Sequence, residues 1–93
     1  MAEKRHILFY DYVDDILERR EPFRAEHLAA IRAGQDDGRI LLAGPLGDPP
    51  HGGALVFVDP AAAEAFAQAD PYVRNGLVTS WRVREWKVVV GAP

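Results

Sequence analysis

The chain contains no cysteine, which excludes disulfides, thiolate nucleophiles and iron–sulfur ligation. It has no arginine-rich run. Its net charge is −3 with acids and bases interspersed, which argues against a nucleic-acid partner. No apolar stretch is long enough to cross a bilayer and residues 2–6 are polar, so neither a signal peptide nor a membrane partner is expected. Three dispersed histidines, His6, His27 and His51, lack the spacing of a built metal site. Gly52-Gly53 lacks the lysine and hydroxyl residue of a phosphate-binding loop, and no Gly-x-Ser-x-Gly elbow occurs. No cofactor is therefore expected. The absent cysteines and mild acidity fit the reducing cytoplasm.

What remains is an ordinary globular composition, 48% hydrophobic and 27% charged over 93 residues. That length predicts one domain, residues 1–93. A chain of this size buries only about 60–65% of its unfolded surface, so a homodimer would add stability.

His6 to Tyr12 is β-branched and aromatic, apolar on both parities, as suits a central strand. Val13 to Arg20 is charged, a loop or one to two helical turns. Pro22 then opens a helical period that ends near Asp37-Gly38. At 100° per residue, Arg24, Leu28, Ile31 and Gln35 cluster within about 60° of arc, with Phe23, His27 and Gly34 just beside them. A second strand, Arg39 to Leu46, is expected to stop at Gly44-Pro45, and a proline-rich loop follows. Ala54 to Val58 reads as a third strand. Asp59-Pro60 opens a second helix, which Asp70-Pro71 breaks, because a residue before proline leaves the helical region. One further turn closes at Gly76, and Leu77 to Val90 forms a last strand. In that strand Trp81 and Val83 share one face but Trp86, Val88 and Val90 share the other. The switch of parity predicts that its second half leaves its own sheet and packs on another subunit. The order is β-α-β-β-α-β, an α+β ferredoxin-like fold with an antiparallel sheet.

His27 is the chief candidate for chemistry. It lies beside the apolar stripe, where a titratable ring needs a partner or a task. It is either a core-edge histidine bonded to a carbonyl or a general acid–base. Arg24, one turn earlier, either holds an anion or covers apolar surface with its stem. Asp70 reads locally as a helix cap; as a functional group it would have to reach His27, and Asp11 at the end of the first strand is its rival. Tyr10, Tyr12 and Tyr72 offer hydroxyl donors or aromatic packing. Gly44-Pro45 is a turn or a place where a ligand approaches the backbone closely.

Taken in order, Glu18-Arg19-Arg20-Glu21-Pro22-Phe23-Arg24-Ala25-Glu26-His27-Leu28, then Gly38-Arg39-Ile40-Leu41-Leu42-Ala43-Gly44-Pro45-Leu46, Gly53, Asp70-Pro71-Tyr72, Gly76-Leu77 and Trp86 resemble the YciI-like (YCII-related) proteins. The resemblance covers almost the whole chain and departs in the loop Gly47 to Gly53, which carries His51. It implies a dimeric α+β barrel and a cleft where His27 meets Asp70. It also implies acid–base chemistry on a small oxygenated molecule, of the isomerase, lyase or dehydrochlorinase type, without a metal or redox cofactor. Arg24, Asp11, Tyr10, Gly44, Pro45 and Tyr72 are then candidate substrate contacts. A non-catalytic ligand-binding or interaction module and a cofactor-independent monooxygenase are the competing expectations.

Overall fold

Four strands build one antiparallel sheet, the central one rich in β-branched and aromatic residues between His6 and Tyr12. The computed structural model describes residues 3–91; residues 1, 2, 92 and 93, the ends of the expected domain, lie outside the described residues. Strand β1 (Glu3–Tyr12) is central, between β3 (Gly52–Phe57) and β4 (Val78–Val88), and β2 (Ile40–Leu46) forms the edge beside β3. The order β2-β3-β1-β4 with every pair antiparallel is the expected ferredoxin-like α+β arrangement. Among the described residues no helix is long and apolar enough to cross a membrane.

One face of the sheet carries the helices. Leu8, Tyr10, Leu55 and Phe57 point to that face and meet Ala63, Phe66 and Ala67 of α3 (Pro60–Ala69) and Tyr72 of α4 (Pro71–Arg74). Phe57 and Phe66 pack with ring centroids 5.6 Å apart. Asp59 caps α3 as its sequence predicts, accepting from the N–H groups of Ala61 and Ala62 at 2.8 and 3.2 Å. The charged stretch after β1 forms one turn, α1 (Ile16–Arg19), whose Ile16 is buried in the same core.

Three expectations change. β2 does not stop at Gly44-Pro45 but runs through both, pairing Pro45 with Gly53. The strand tolerates proline because it lies at the sheet edge, where a missing N–H breaks no central ladder. Nor does β4 leave its own sheet: it stays paired to β1 from Val78 to Val88, and the register shift falls at Asp11/Tyr12, far from the change of parity. Trp86 instead lies 43% exposed on the sheet face that the helices leave open, beside Arg5 in register.

The third concerns α2 (Arg24–Asp36), which follows a 3-10 turn at Glu21–Phe23 containing Pro22. Its buried residues are His27 and Gly34, while Arg24 and Gln35 are exposed. The core side of this helix is therefore turned some 70–90° from the centre of the Arg24–Leu28–Ile31–Gln35 stripe, at 100° per residue. Gly34 marks the close approach: a Cβ there would lie 2.5 Å from Cδ1 of Ile40, whose side chain would have to give way. The rotation brings His27 to the centre of the buried side and leaves the apolar stripe facing a cavity.

Candidate active site

His27 and Asp70 come together across 43 residues of chain. Nδ1 of His27 lies 2.9 Å from each carboxylate oxygen of Asp70. Both residues are buried, Asp70 at 1% exposure and His27 at 6%. Asp70 is the partner that the structure brings to His27, and Asp11 is not. Asp11 sits elsewhere, on the open sheet face, accepting from Ser80 Oγ at 2.7 Å and from Arg82 at 3.2 Å.

The two readings of Asp70 turn out to be compatible. Asp70 is extended, as a residue before proline must be, and its Oδ1 accepts the Tyr72 N–H at 3.0 Å as the cap of α4. The same carboxylate accepts the Tyr10 hydroxyl through Oδ2 at 2.8 Å and faces His27 Nδ1 through both oxygens. Three donors thus converge on one buried carboxylate, which satisfies it without water. A carboxylate only accepts, so Nδ1 facing Asp70 is the donor, and Nε2 is the ring nitrogen that Asp70 leaves free.

Aromatic packing fixes the imidazole plane. His27 stacks on Tyr72 with centroids 3.7 Å apart and planes 6° from parallel. Tyr72 in turn meets Tyr12 edge-on at 6.1 Å. Tyr10 is 1% exposed, and its hydroxyl is occupied by Asp70, so it lies behind the dyad and does not border the cavity as a substrate contact. Burial and the neighbouring Asp70 charge hold its phenol far above the usual range. Burial likewise pushes Tyr12 up to about 12 and raises Tyr72, so both remain hydroxyl donors at neutral pH.

A cavity of about 200 Å³ opens beside the dyad, between α2 and the β2–β3 edge of the sheet. His27, Leu28, Ile31, Ala43, Pro45, Leu55 and Tyr72 form most of its wall, and Tyr12, Arg20 and Arg24 complete it. Of the expected contacts, Arg24, Gly44, Pro45 and Tyr72 border this space, whereas Tyr10 and Asp11 do not. Gly44 contributes backbone alone: a Cβ there would meet nothing within 4 Å and would point to the open face, so close ligand approach is not what requires this glycine. Gly53 has the stricter role, because a Cβ at that position would come 2.8 Å from the Tyr12 hydroxyl. Arg20 was not among the expected site residues. It lies outside the helical period, just ahead of Pro22, and only that proline-started turn hints at its position. Among the described residues, no three His, Cys, Asp or Glu side chains converge as a metal-ligand set.

A ferredoxin-like α+β domain with a buried His–Asp pair at the wall of a small cavity is thus the class that the fold and site define. Residues 5–87 match the YCII-related domain, and the chain belongs to that family. It is 34% identical over 95 aligned positions to protein YciI of Escherichia coli O6:H1 and of Shigella flexneri, covering 90% of this chain and 97% of each relative. A protein of Haemophilus influenzae is 30% identical over the same shares. Among solved structures, the chain superposes on 5-chloro-2-hydroxyhydroquinone dehydrochlorinase of Burkholderia phenoliruptrix AC1100, determined with 2,5-dihydroxybenzoquinone. The TM-score is 0.72 at 22% identity, covering 89% of this chain and 93% of that one, a likeness of fold.

Proposed function

We propose that this chain is a small-molecule acid–base enzyme of the cytoplasm, of the isomerase, lyase or dehydrochlorinase type. The observation that carries the reading is His27 held through Nδ1 by both oxygens of Asp70 at the wall of a cavity. Asp70 fixes the tautomer, so Nε2 is the nitrogen free to take a proton from a ligand. In an isomerisation the same nitrogen returns that proton at another atom. In an elimination the electron pair left behind expels the leaving group, chloride in the case of a dehydrochlorinase. Tyr12, a donor at neutral pH, is placed to stabilise oxygen charge that develops in either course. The ligand named for the structural neighbour, a dihydroxylated quinone, is of a size that suits this cavity.

The test is a turnover screen over small hydroxylated and chlorinated rings, 5-chloro-2-hydroxyhydroquinone among them, with the His27→Ala variant beside the parent. Loss of a general base should reduce the rate about 10²–10⁴-fold. Undiminished turnover in His27→Ala would remove the assignment. Ligand binding without any turnover in the parent would favour the non-catalytic binding module instead.

The reading includes a homodimer formed through the open face of the sheet. Leu42 at 52%, Leu46 at 37% and Trp86 at 43% exposure share that face with the half-buried Ile7 and Phe9. An apolar sheet surface of this kind is a candidate interface. Light scattering at micromolar concentration should give twice the chain mass, and a monomer mass would refute the dimer.

A further inference from the structure

We infer that the cavity takes a small planar organic carboxylate, anchored by Arg20 and Arg24. This deepens the acid–base reading and rests on it for the location of the site. Of the nine arginines, four are paired with an acid among the described residues and five are not, and of those five Arg20 and Arg24 are the ones at the cavity. Arg5, Arg19, Arg39 and Arg82 each have a carboxylate oxygen within 4.0 Å. Arg20 and Arg24 border the cavity, and among the described residues neither is paired with an acid. Arg20 is also half-buried, and its Nε, like that of Arg5 away from the cavity, is enclosed without a hydrogen-bond partner.

An enclosed guanidinium donor without an acceptor is costly and uncommon in folded proteins. An anionic ligand would supply the missing acceptor. Two guanidiniums present planar forks that match the two oxygens of a carboxylate. The charge of Arg20 also reaches the Tyr12 and Tyr72 hydroxyls, so the arginines, the tyrosines and the dyad share one electrostatic environment. Leu28 and Ile31 on the same helix as Arg24, with Pro45 and Leu55 of the sheet, add apolar wall for a hydrocarbon body. A cavity of about 200 Å³ lies below the roughly 300–1,000 Å³ of common ligand sites and suits a single ring. The ligand is therefore one ring or its equivalent, with an apolar body and an anionic group at one end. The same guanidiniums would stabilise negative charge that builds up as His27 removes a proton.

Benzoate and its neutral isostere benzamide are the probes, followed by isothermal titration and by NMR shifts of the cavity residues. Benzoate should bind at least about tenfold more tightly than benzamide, the scale of one charge-assisted bond. Arg20→Gln and Arg24→Gln should each remove most of that preference, while Arg82→Gln on the open face leaves it intact. Raising the salt from about 0.05 to about 0.5 M should weaken benzoate and spare benzamide, which tests the parent without any substitution. Equal binding of the two probes, or benzoate affinity that survives Arg20→Gln and Arg24→Gln together, overturns the anchor. Neither result touches the His27→Ala rate test. Conversely, arginine-dependent benzoate binding in a protein without turnover would sustain the anchor and remove the catalysis.

Discussion

Asp70 and Asp11 make similar hydrogen bonds in dissimilar surroundings. Each accepts from a hydroxyl, Tyr10 at 2.8 Å for Asp70 and Ser80 at 2.7 Å for Asp11. Each also faces a nitrogen of a basic side chain, His27 at 2.9 Å and Arg82 at 3.2 Å. The Asp70 side chain is wholly buried, however, whereas the Asp11 side chain remains half exposed beside an equally open Arg82. Water competes for every bond that Asp11 makes and for none that Asp70 makes. The lesson is that bond lengths do not rank these clusters; burial does, because an interior polar group has no alternative partner.

The contrast is broken most directly by removing each carboxylate. Asp70→Ala strands the Tyr10 hydroxyl, the Tyr72 N–H and His27 Nδ1 in the interior at once, and should cost about 3–5 kcal/mol in chemical denaturation. Asp70→Asn keeps the shape and part of the bonding and should cost less. If Asp70→Ala unfolds no more easily than the corresponding Asp11 variant, burial is not what separates the two clusters. Tyr10→Phe is the next step down. It deletes one hydroxyl donor to a buried carboxylate and should cost about 1.5–3 kcal/mol, with the ring packing of the core retained.

The sequence discloses these two aspartates unequally. Asp70 is legible as a cap from its proline and the following turn, because capping is a matter of neighbouring residues. Its service to His27 is a contact between residues 43 apart, and no local pattern encodes that; the family resemblance suggested it first. The inward lean of His27 is readable from the helical period. Its central burial is not, since it is set where the helix packs on another element, at Gly34 against Ile40. Tyr10 was open to either role because β1 is apolar on both parities, and only the packing of the helices decides which parity is inside. Arg20 escaped notice for a related reason: a residue outside any period has no face until the chain is folded.

Alkaline titration separates buried from exposed groups without mutation. All three tyrosines, Tyr10, Tyr12 and Tyr72, have phenols raised first of all by burial. In each the protonated form is favoured by the folded chain, so the stabilisation is complete below the unfolded phenol value near 10. It is lost as pH rises beyond that value, through about 12 for Tyr12. Ultraviolet absorbance of the native protein should therefore show little phenolate at pH 10, and the unfolding midpoint should fall steadily above it. A native phenolate titrating at its free value would show that these rings are not enclosed.

Asp11→Asn is the smallest effect and the one that tests the other half of the contrast. The Ser80 hydroxyl, and after it Arg82, hold the Asp11 carboxyl below the usual carboxylate range. A lowered folded value means that ionised Asp11 stabilises the fold above the unfolded value near 3.9, and that this contribution fades as pH falls further. Solvent and salt screen a group so exposed, so at neutral pH the melting temperature of Asp11→Asn should match the parent within error. Added salt should shrink the part of any difference that comes from Arg82, because that charge pair is open to solvent. A salt-insensitive loss on the scale of Tyr10→Phe would mean instead that Asp11 is shielded in the working protein. The open sheet face that it shares with Trp86 and Leu46 is where such shielding would arise, so the weakest expected effect also reports whether a second copy covers that face.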